Sequence, residues 1–255
     1  MLIFQQNLCI LIDGKIGYMG GVNIADEYIN QRQGSAVYQL TKLFLIDFGL
    51  NVKNLPANLA SDILFPSIDT KSAGYVIPFG DGPAPIYRRR VAQSLIVDMF
   101  SNAKKYVYVM TPYLIIDNDM CLALENAAIK GIDVRIIVPH IPDKKIVFEM
   151  TKTFYQRLMK AGVKIYEYEA GFVHAKCYLI DDELAMIGTI NLDYRSLVHH
   201  FENGVWLYKT GCLQNVKKDM QNTLERSIFM EKGSIKTNLF QRILRAIVRI
   251  FAPML

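Results

Sequence analysis

The chain has 255 residues, of which 51% are hydrophobic, enough for one large domain or two modest ones with packed cores. Its net charge of +5 is unevenly placed, because nine Lys or Arg and only three Asp or Glu occur from Lys209 onward. A basic tail on a nearly neutral body favours an anionic partner such as a membrane or a nucleic acid, although an ordinary solvated surface would explain the same charge.

Cysteine usage and hydropathy exclude several classes of protein. The four cysteines are scattered without a CxxC pair, and there are only four histidines, which argues against a zinc site or a disulfide framework and favours a reducing compartment. No run of 18 uninterrupted apolar residues occurs, so we predict no membrane-spanning helix. The first residues, MLIFQQNLCILID, lack a basic region and a small-residue cleavage site, so we expect no signal peptide.

Helical and strand-like patterns alternate between residues 35 and 168. Helices are predicted at 35–50, 86–103, 120–130 and 148–160, and strands at 75–79, 106–110, 134–138 and 163–168. Apart from its one strand, the segment 51–85 is rich in Asn, Pro, Gly and Ser, which is typical of a loop or linker. Strands that alternate with helices predict an α/β sheet with helices on its faces.

Four polar side chains follow in a predicted hairpin, with strands at 172–180 and 184–190 and a turn between them. His174 and Lys176 are two residues apart, as are Thr189 and Asn191, so each pair shares one face of its strand. The hairpin makes the sheet mixed. It also brings an imidazole, an ammonium, a hydroxyl and a carboxamide towards one spot, a set that suits a phosphoryl group. The alternative is a buried hairpin whose polar groups are merely satisfied.

Two further features lie beyond the hairpin. The stretch 201–208 is a predicted strand that carries Glu202, either an acid of the site or an ordinary surface glutamate; His199 and His200 before it are interpreted as loop residues. Residues 235–252 predict a helix that is basic on one face and apolar on the other, which suits a membrane interface over anionic lipid. A helix that docks on the domain core would show the same pattern.

The N-terminal region repeats the hairpin. Residues 11–28, LIDGKIGYMGGVNIADEY, match 179–196, LIDDELAMIGTINLDYRS. Alignment of Asp13 with Asp181 pairs three further positions: Gly20 with Gly188, Gly21 with Thr189, and Asn23 with Asn191. Two copies so far apart predict a duplicated domain.

The first copy lacks the chemistry of the second, because Gln6 and Leu8 stand where His174 and Lys176 would be. It also has only five residues before Gln6. We therefore expect 1–75 to be the truncated remnant of a first domain, 76–234 to be a complete second domain, and 235–255 to be the basic amphipathic end. The chain would then be part of a longer protein; the alternative is a domain completed by another chain.

The spacing His-x-Lys-x4-Asp-x6-Gly-Thr-x-Asn resembles the signature of the phospholipase D superfamily. Several other stretches are similar to bacterial cardiolipin synthases, in the same order: IDGKIGYMGGVNIADEYIN, VYQLTKLFLIDF, TPYLIIDNDM, GIDVRIIVPHIPDKK and AGVKIYEYEAGFVHAK. The resemblance implies a phospholipase D-like mixed sheet and the transfer of a phosphatidyl group between two phosphatidylglycerols, which gives cardiolipin and glycerol without a metal or other cofactor. It implies these roles: catalytic His174, Lys176 and Asp181; phosphate-binding Thr189, Asn191 and Asn23; and Glu202, which orients the imidazole.

The sequence departs from this family in ways that bear on activity. Members usually have two signatures that meet at one site, and two membrane-spanning helices; this sequence lacks the helices and the first His and Lys. The family's C-terminal histidine is the acid/base, so we expect the isolated monomer, without a nucleophile, to be inactive or nearly so. The expected partner is a phosphatidylglycerol-containing membrane at its cytoplasmic face, with nucleic acid disfavoured. Two alternatives are a homodimeric phosphodiesterase or nuclease and a catalytically silent membrane-binding fragment.

Overall fold

The computed structural model describes residues 8–12, 16–20, 39–43, 45 and 73–233. Its strands are β1 (Leu8–Ile12), β2 (Ile16–Gly20), β3 (Tyr75–Asp81), β4 (Tyr106–Met110), β5 (Leu114–Ile115), β6 (Asp133–Pro139), β7 (Lys164–Tyr168), β8 (Cys177–Ile180), β9 (Leu184–Gly188), β10 (Leu192–Asp193), β11 (Glu202–Tyr208) and β12 (Ser227–Phe229). Its helices are α1 (Val91–Asn102), α2 (Asn118–Ile129), α3 (Lys145–Ala161), α4 (Tyr194–Val198) and α5 (Leu213–Glu225). Residues 39–43 and 45, within the predicted helix 35–50, are also helical.

Eight strands form one mixed sheet in the order β12-β7-β6-β4-β8-β9-β11-β3. The strands β4, β6 and β7 run parallel to one another, and every other neighbouring pair is antiparallel. Parallel neighbours need a crossover connection, and α2 and α3 supply the two that are required here. Outside this sheet, β5 and β10 form a short parallel pair. The predicted mixed α/β sheet flanked by helices is confirmed.

Both faces of the central strands are covered by apolar side chains. Val107 and Val109 of β4 belong to the cluster that packs under α1, α2 and α3, whereas Tyr106 and Met110 belong to the cluster on the opposite face. This opposite cluster also contains the buried side chains that α5 contributes, Leu213 and Met220. Alternate residues of a strand point to opposite faces, so a strand covered on both sides has an almost continuous apolar sequence.

Several boundaries differ from the prediction. The helix predicted from residue 86 begins only at Val91, because residues 82–90 form a proline-containing loop and the Asp81 carboxylate accepts a hydrogen bond from the backbone N–H of Ala92. The strand predicted at 172–180 is shorter, since β8 starts at Cys177. The pattern also missed α5, β12 and the β5–β10 pair. The predicted helix at 235–252 lies outside the described residues.

The N-terminal hairpin pairs with the same spacing as the central one. Adding 168 to each partner of the β1–β2 register converts Cys9↔Met19 into Cys177↔Ile187 and Ile12↔Ile16 into Ile180↔Leu184, which are pairs of β8 and β9. This agreement of register supports the sequence repeat. The division into a remnant at 1–75 and a complete domain at 76–234 stays a prediction.

Membrane-spanning structure is not found in the described ranges, where every helix is too short or too polar to cross a bilayer.

Candidate active site

One edge of the sheet gathers the predicted site residues. The parallel strands β4, β6 and β7 end at this edge, and their antiparallel neighbour β8 begins there. Because β9 is antiparallel to β8 and β11 is antiparallel to β9, the end of β9 and the start of β11 reach the same edge. The fold therefore places Lys176, Thr189 and Glu202, which are far apart in sequence, at adjacent strand ends. Ligands of α/β sheets commonly bind at such an edge.

His174 and Lys176 lie in an extended segment just before β8, not within a strand. The His174 side chain is exposed, and its ring is stacked beside that of Phe172 with the centroids 5.8 Å apart. Lys176 is only 4% exposed, and its Nζ donates a hydrogen bond of 2.6 Å to the backbone carbonyl of His174. The His174 side chain is thus exposed at this edge of the sheet, while the ammonium of Lys176 is buried against the main chain of His174.

A buried carboxylate collects hydroxyl groups next to this pair. Glu202 accepts hydrogen bonds from the hydroxyls of Thr189 and of Ser196, the latter at 2.7 Å. The Thr189 oxygen in turn accepts the backbone N–H of Asn203 at 2.9 Å, which ties the end of β9 to the start of β11. The close approach of these strands requires Gly188, since a Cβ there would lie 2.1 Å from the carbonyl oxygen of Asn203. Thr189 and Glu202 are therefore held in one fixed arrangement.

Asp193 is a second buried carboxylate of the site, and the sequence prediction missed it. It accepts the backbone N–H of Ser196 at 2.6 Å and a side-chain hydrogen bond from Asn191. The Oδ1 of Asn191 is buried and has no hydrogen-bond partner among the described residues. The available signal was the pairing of Asp193 with Ser196 three residues later, a spacing that fits a helix N-cap, which Asp193 forms for α4.

Burial dominates the electrostatics of this cluster. Loss of solvation lowers the pKa of Lys176 to about 8, although the nearby carboxylates of Glu202 and Asp193 oppose this shift. Burial raises the pKa of Glu202 to about 8, against the hydrogen bonds from Ser196 and Thr189 and the charge of Lys176. Burial also raises the pKa of Asp193. Such opposed shifts in adjacent groups are typical of functional sites, although structural ion pairs produce them as well.

Tyr113 forms part of the wall of the site and was also missed. Its hydroxyl donates a 2.6 Å hydrogen bond to Asp143, and its ring lies 6.5 Å from that of Phe172. Burial raises the pKa of Tyr113, and the charges of Asp143 and Asp193 add to the shift. Tyr113 thus lies between the loop that follows β6 and the segment that carries His174.

Asp181 lies apart from the other predicted site residues, and its catalytic role stays a prediction. The residue lies in the tight turn between β8 and β9, at the far end of the hairpin from Lys176. Its carboxylate accepts the backbone N–H groups of Lys104, Lys105 and Tyr106 at 2.7 to 2.8 Å. Asp181 therefore fixes the hairpin to the start of β4.

Glu202 has a neighbour other than the one predicted for it. The Nδ1 of His200 lies 3.9 Å from its Oε1, and the Nε2 of His200 accepts a 2.7 Å hydrogen bond from Arg195. Burial lowers the pKa of His200, as do the charges of Arg195 and His199. His200, interpreted from the sequence as a loop residue, thus borders the site. The orientation of the His174 ring by Glu202 stays a prediction, as does phosphate binding by Asn23, which lies outside the described residues.

The family model of cardiolipin synthase, PLD-like domain, matches residues 96–224, about half of the chain. The chain belongs to this family. The match includes the whole hairpin and the site residues from Tyr113 to Glu202. It confirms the predicted phospholipase D superfamily membership and the predicted resemblance to cardiolipin synthases.

Relatives of this PLD-like chain agree with the family. The cardiolipin synthase of Alkalihalophilus pseudofirmus is 37% identical over 261 residues, which are 96% of this chain and 51% of that protein. An uncharacterized protein of Streptococcus mutans is 40% identical over 258 residues, 96% of this chain and 56% of that protein. The chain thus spans about half the length of the curated relatives it matches. The structure of phosphatidylserine synthase from Haemophilus influenzae aligns with a TM-score of 0.58 at 18% identity, over 77% of this chain and 51% of that one, which shows the fold.

Proposed function

We propose that this chain is the phosphoryl-transfer half of a cardiolipin synthase-type phosphatidyltransferase, which converts two phosphatidylglycerols into cardiolipin and glycerol. The observation that carries the proposal is the buried ammonium of Lys176, which donates a hydrogen bond to the backbone carbonyl of the exposed His174. An ammonium that is costly to bury gains from an anionic ligand, and a phosphodiester supplies that negative charge. The 37% identity with a protein named cardiolipin synthase supports the same class.

The other groups of the site suit a phosphodiester in transfer. The reacting phosphorus carries two non-bridging oxygens, whose negative charge Lys176 would offset. The amide of Asn191 and the hydroxyl of Thr189 would donate or accept hydrogen bonds around these oxygens and the glycerol hydroxyls. Glu202 and Asp193 lie close to Lys176, and their ionised forms oppose the lowering of its pKa by burial. The site needs these groups in fixed positions, since misplaced donors lose much of their effect on the transition state.

His174 would move the proton. In the first step a nitrogen of a second imidazole, not that of His174, attacks phosphorus. The bond from phosphorus to the glycerol oxygen breaks, and His174 protonates the departing oxygen. In the second step His174 takes the proton from the hydroxyl of an incoming phosphatidylglycerol, whose oxygen attacks phosphorus as the phosphorus–nitrogen bond breaks. Glu202 would act on His174 as a positioning residue, directly or through the intervening hydroxyls.

The attacking imidazole must come from elsewhere, because Gln6 stands at the repeat position of His174. Because the chain spans about half the length of its relatives, one source of this imidazole would be a polypeptide that corresponds to their first half. A second copy of this chain would be another source. We therefore expect the monomer to be inactive or nearly so. We place the working enzyme on the cytoplasmic face of the cell membrane, with the basic amphipathic segment 235–252 as a peripheral contact.

The test is a turnover assay of the full chain on vesicles that contain phosphatidylglycerol, with product cardiolipin and glycerol measured together. The chain is assayed alone and after mixing with a polypeptide that corresponds to the first half of a relative. We expect turnover only in the mixture, and its loss with His174→Ala. As a matched control, His199→Ala removes another exposed imidazole and should leave turnover within about twofold.

Three other outcomes would change the assignment. Turnover by a homodimer alone would identify the second copy as the source of the nucleophile. Cleavage of a soluble phosphodiester or of DNA by the dimer, without cardiolipin, would favour the phosphodiesterase or nuclease. Silence in every mixture, together with retained binding to vesicles, would leave a membrane-binding fragment and refute the enzyme.

A further inference from the structure

Two ordered loops flank the site at the same edge of the sheet and carry isoleucines that point into solvent. The first, 82–90, follows β3, and the second, 140–146, follows β6 and includes the first two residues of α3. Ile86 is 54% exposed, Ile141 56% and Ile146 67%. Single exposed apolar side chains are common on proteins, so the meaning of these three depends on their position around the site and on the charges beside them.

The spacing of the loops places them on opposite sides of the site. In the sheet order, β6 is two strands from β8 and β3 is three strands from it. At about 4.8 Å per strand, the loops lie roughly 10 Å and 14 Å to either side of the segment that carries His174. Phe172, which is partly exposed beside the imidazole, continues the apolar surface between them.

The charge of the two loops indicates what kind of partner they would bind. Arg88, Arg89 and Arg90 are exposed in the first loop, and Lys144 and Lys145 are exposed in the second. Within these two fully described loops the only acidic side chain is Asp143, which accepts the hydroxyl hydrogen bond of Tyr113. Basic groups beside aliphatic tips suit an anionic bilayer, in which the tips reach the acyl boundary and the cations meet the headgroups.

Interior contacts hold the first loop in place. The Asp81 carboxylate accepts the backbone N–H groups of Gly82 and Ala92, at 2.8 and 2.6 Å, and so ties its two ends together. Tyr87 turns inward and packs edge-on against Phe201, with the ring centroids 6.2 Å apart. These contacts fix a backbone that leaves Ile86 outward.

The second loop is anchored by a buried acid. The Nδ1 of His140 lies 2.8 Å from Glu167, whose other oxygen accepts the hydroxyl of the buried Tyr155 at 3.0 Å. The backbone N–H of His140 also donates to the carbonyl of Tyr168 at 3.0 Å. A loop that is already ordered loses little conformational freedom when it docks, which favours binding.

We propose that the loops 82–90 and 140–146 form a bipartite docking surface that seats the mouth of the site on an anionic phospholipid bilayer. This inference rests on the proposed function, since a phosphatidyl group must enter the site from a membrane. It adds a surface separate from the basic end of the chain, and it orients the exposed His174 towards the lipid headgroups.

The experiment measures, by tryptophan fluorescence, whether a single position of each loop contacts lipid. Trp206 is the chain's one tryptophan, so Ile86→Trp and Ile141→Trp, each made in a Trp206→Phe background, report on one loop at a time. The full chain is mixed with vesicles of phosphatidylglycerol and phosphatidylcholine that carry brominated acyl chains. We expect each loop tryptophan to lose at least about half of its fluorescence, as a ring held about 5–10 Å into the interface should.

The matched control is Ile129→Trp in the same background. Ile129 is 70% exposed and ends α2 at the opposite edge of the sheet, so it should stay unquenched. Quenching of Ile129→Trp to the same degree, or binding of the chain without quenching at either loop, would overturn the proposal. So would a failure of the chain to bind these vesicles at all.

A second arm tests the charges. Combined substitution of Arg88, Arg89 and Arg90 by Gln should weaken binding to phosphatidylglycerol vesicles about 10–100-fold. The same change at the exposed Lys104, Lys105 and Lys130 of the opposite edge should weaken it less than about threefold. Equal losses would contradict a localised surface. Because neither arm requires turnover, a chain that docks but makes no cardiolipin in any of the mixtures would refute the proposed function and leave this inference standing.

Discussion

Replacement of Glu202 by Gln should change how the stability of the protein depends on pH. The carboxylate is buried, accepts hydrogen bonds from Thr189 and Ser196, and lies near the ammonium of Lys176. Glutamine keeps the size of the side chain and one carbonyl acceptor but cannot ionise. The substitution therefore isolates the cost of a buried negative charge.

The sign follows from proton binding. The pKa of Glu202 is raised from 4.5 to about 8 by burial, so between these values the folded protein holds a proton that the unfolded chain releases. The contribution of Glu202 to the free energy of unfolding is complete below pH 4.5 and is lost as the pH rises towards 8. At 1.36 kcal/mol for each pH unit, the loss over this interval reaches up to about 5 kcal/mol. Glu202→Gln should not show this loss, so its free energy of unfolding should increase relative to that of the wild type as the pH rises.

The assay is urea unfolding of both proteins at several values between pH 4.5 and 8.5, with the difference in free energy of unfolding plotted against pH. Glu183→Gln serves as the control, because Glu183 is an exposed carboxylate in the hairpin turn and its difference should stay nearly flat. A difference for Glu202→Gln that changes by less than about 1 kcal/mol over the interval would refute the buried, proton-retaining carboxyl.

Three other predictions concern the same hairpin. Lys176→Met should abolish turnover and raise the free energy of unfolding near pH 7 by about 1–3 kcal/mol, because burial lowers the pKa of Lys176 to about 8 and makes its charge costly. The free energy of unfolding of the wild type should rise between about pH 8 and 10.5, where the buried ammonium has lost its proton and the unfolded chain keeps it. Urea unfolding should show no such rise in the variant. Asp181→Asn should cost about 1–2 kcal/mol in the same measurement, since the charge that three main-chain N–H groups contact is lost. Gly188→Ala should cost about 2–4 kcal/mol or prevent folding, because its Cβ would meet the backbone of β11; thermal unfolding of Gly211→Ala, where nothing lies within 4 Å, should stay close to the wild type.

The alternation of helices and strands was predictable because buried parallel strands and amphipathic helices impose their periods on the sequence. The hairpin and its turn were also predictable, since Asp181 and Asp182 take left-handed φ values of 55° and 63°, which acidic and amide side chains tolerate. The start of α1 was not predictable from periodicity, because a carboxylate from the preceding strand caps it. Local pattern also failed for His174, whose segment lies outside the strand that the alternation predicted.

Which residues belong to the site was harder to predict than which kinds of chemical group it contains. The residue types His, Lys, Thr and Asn at their spacing favoured a phosphoryl group before any contact was known. Asp193 and Tyr113 were missed because their place in the site depends on the β5–β10 pair and on the loop after β6, which are formed by contacts distant in sequence. Asp181 lies at the far end of the hairpin because the four-residue strand β8 separates it from Lys176.

The sequence by itself determined the chemical kinds of group, the mixed α/β class and the repeat, since each depends on residue identity and short-range period. Only the tertiary structure decided which groups meet, because strand order and direction bring Lys176, Thr189 and Glu202 to one edge and carry Asp181 away from it. It also decided their charge states, because the pKa of a carboxyl or an ammonium depends on how much water the packed neighbours remove.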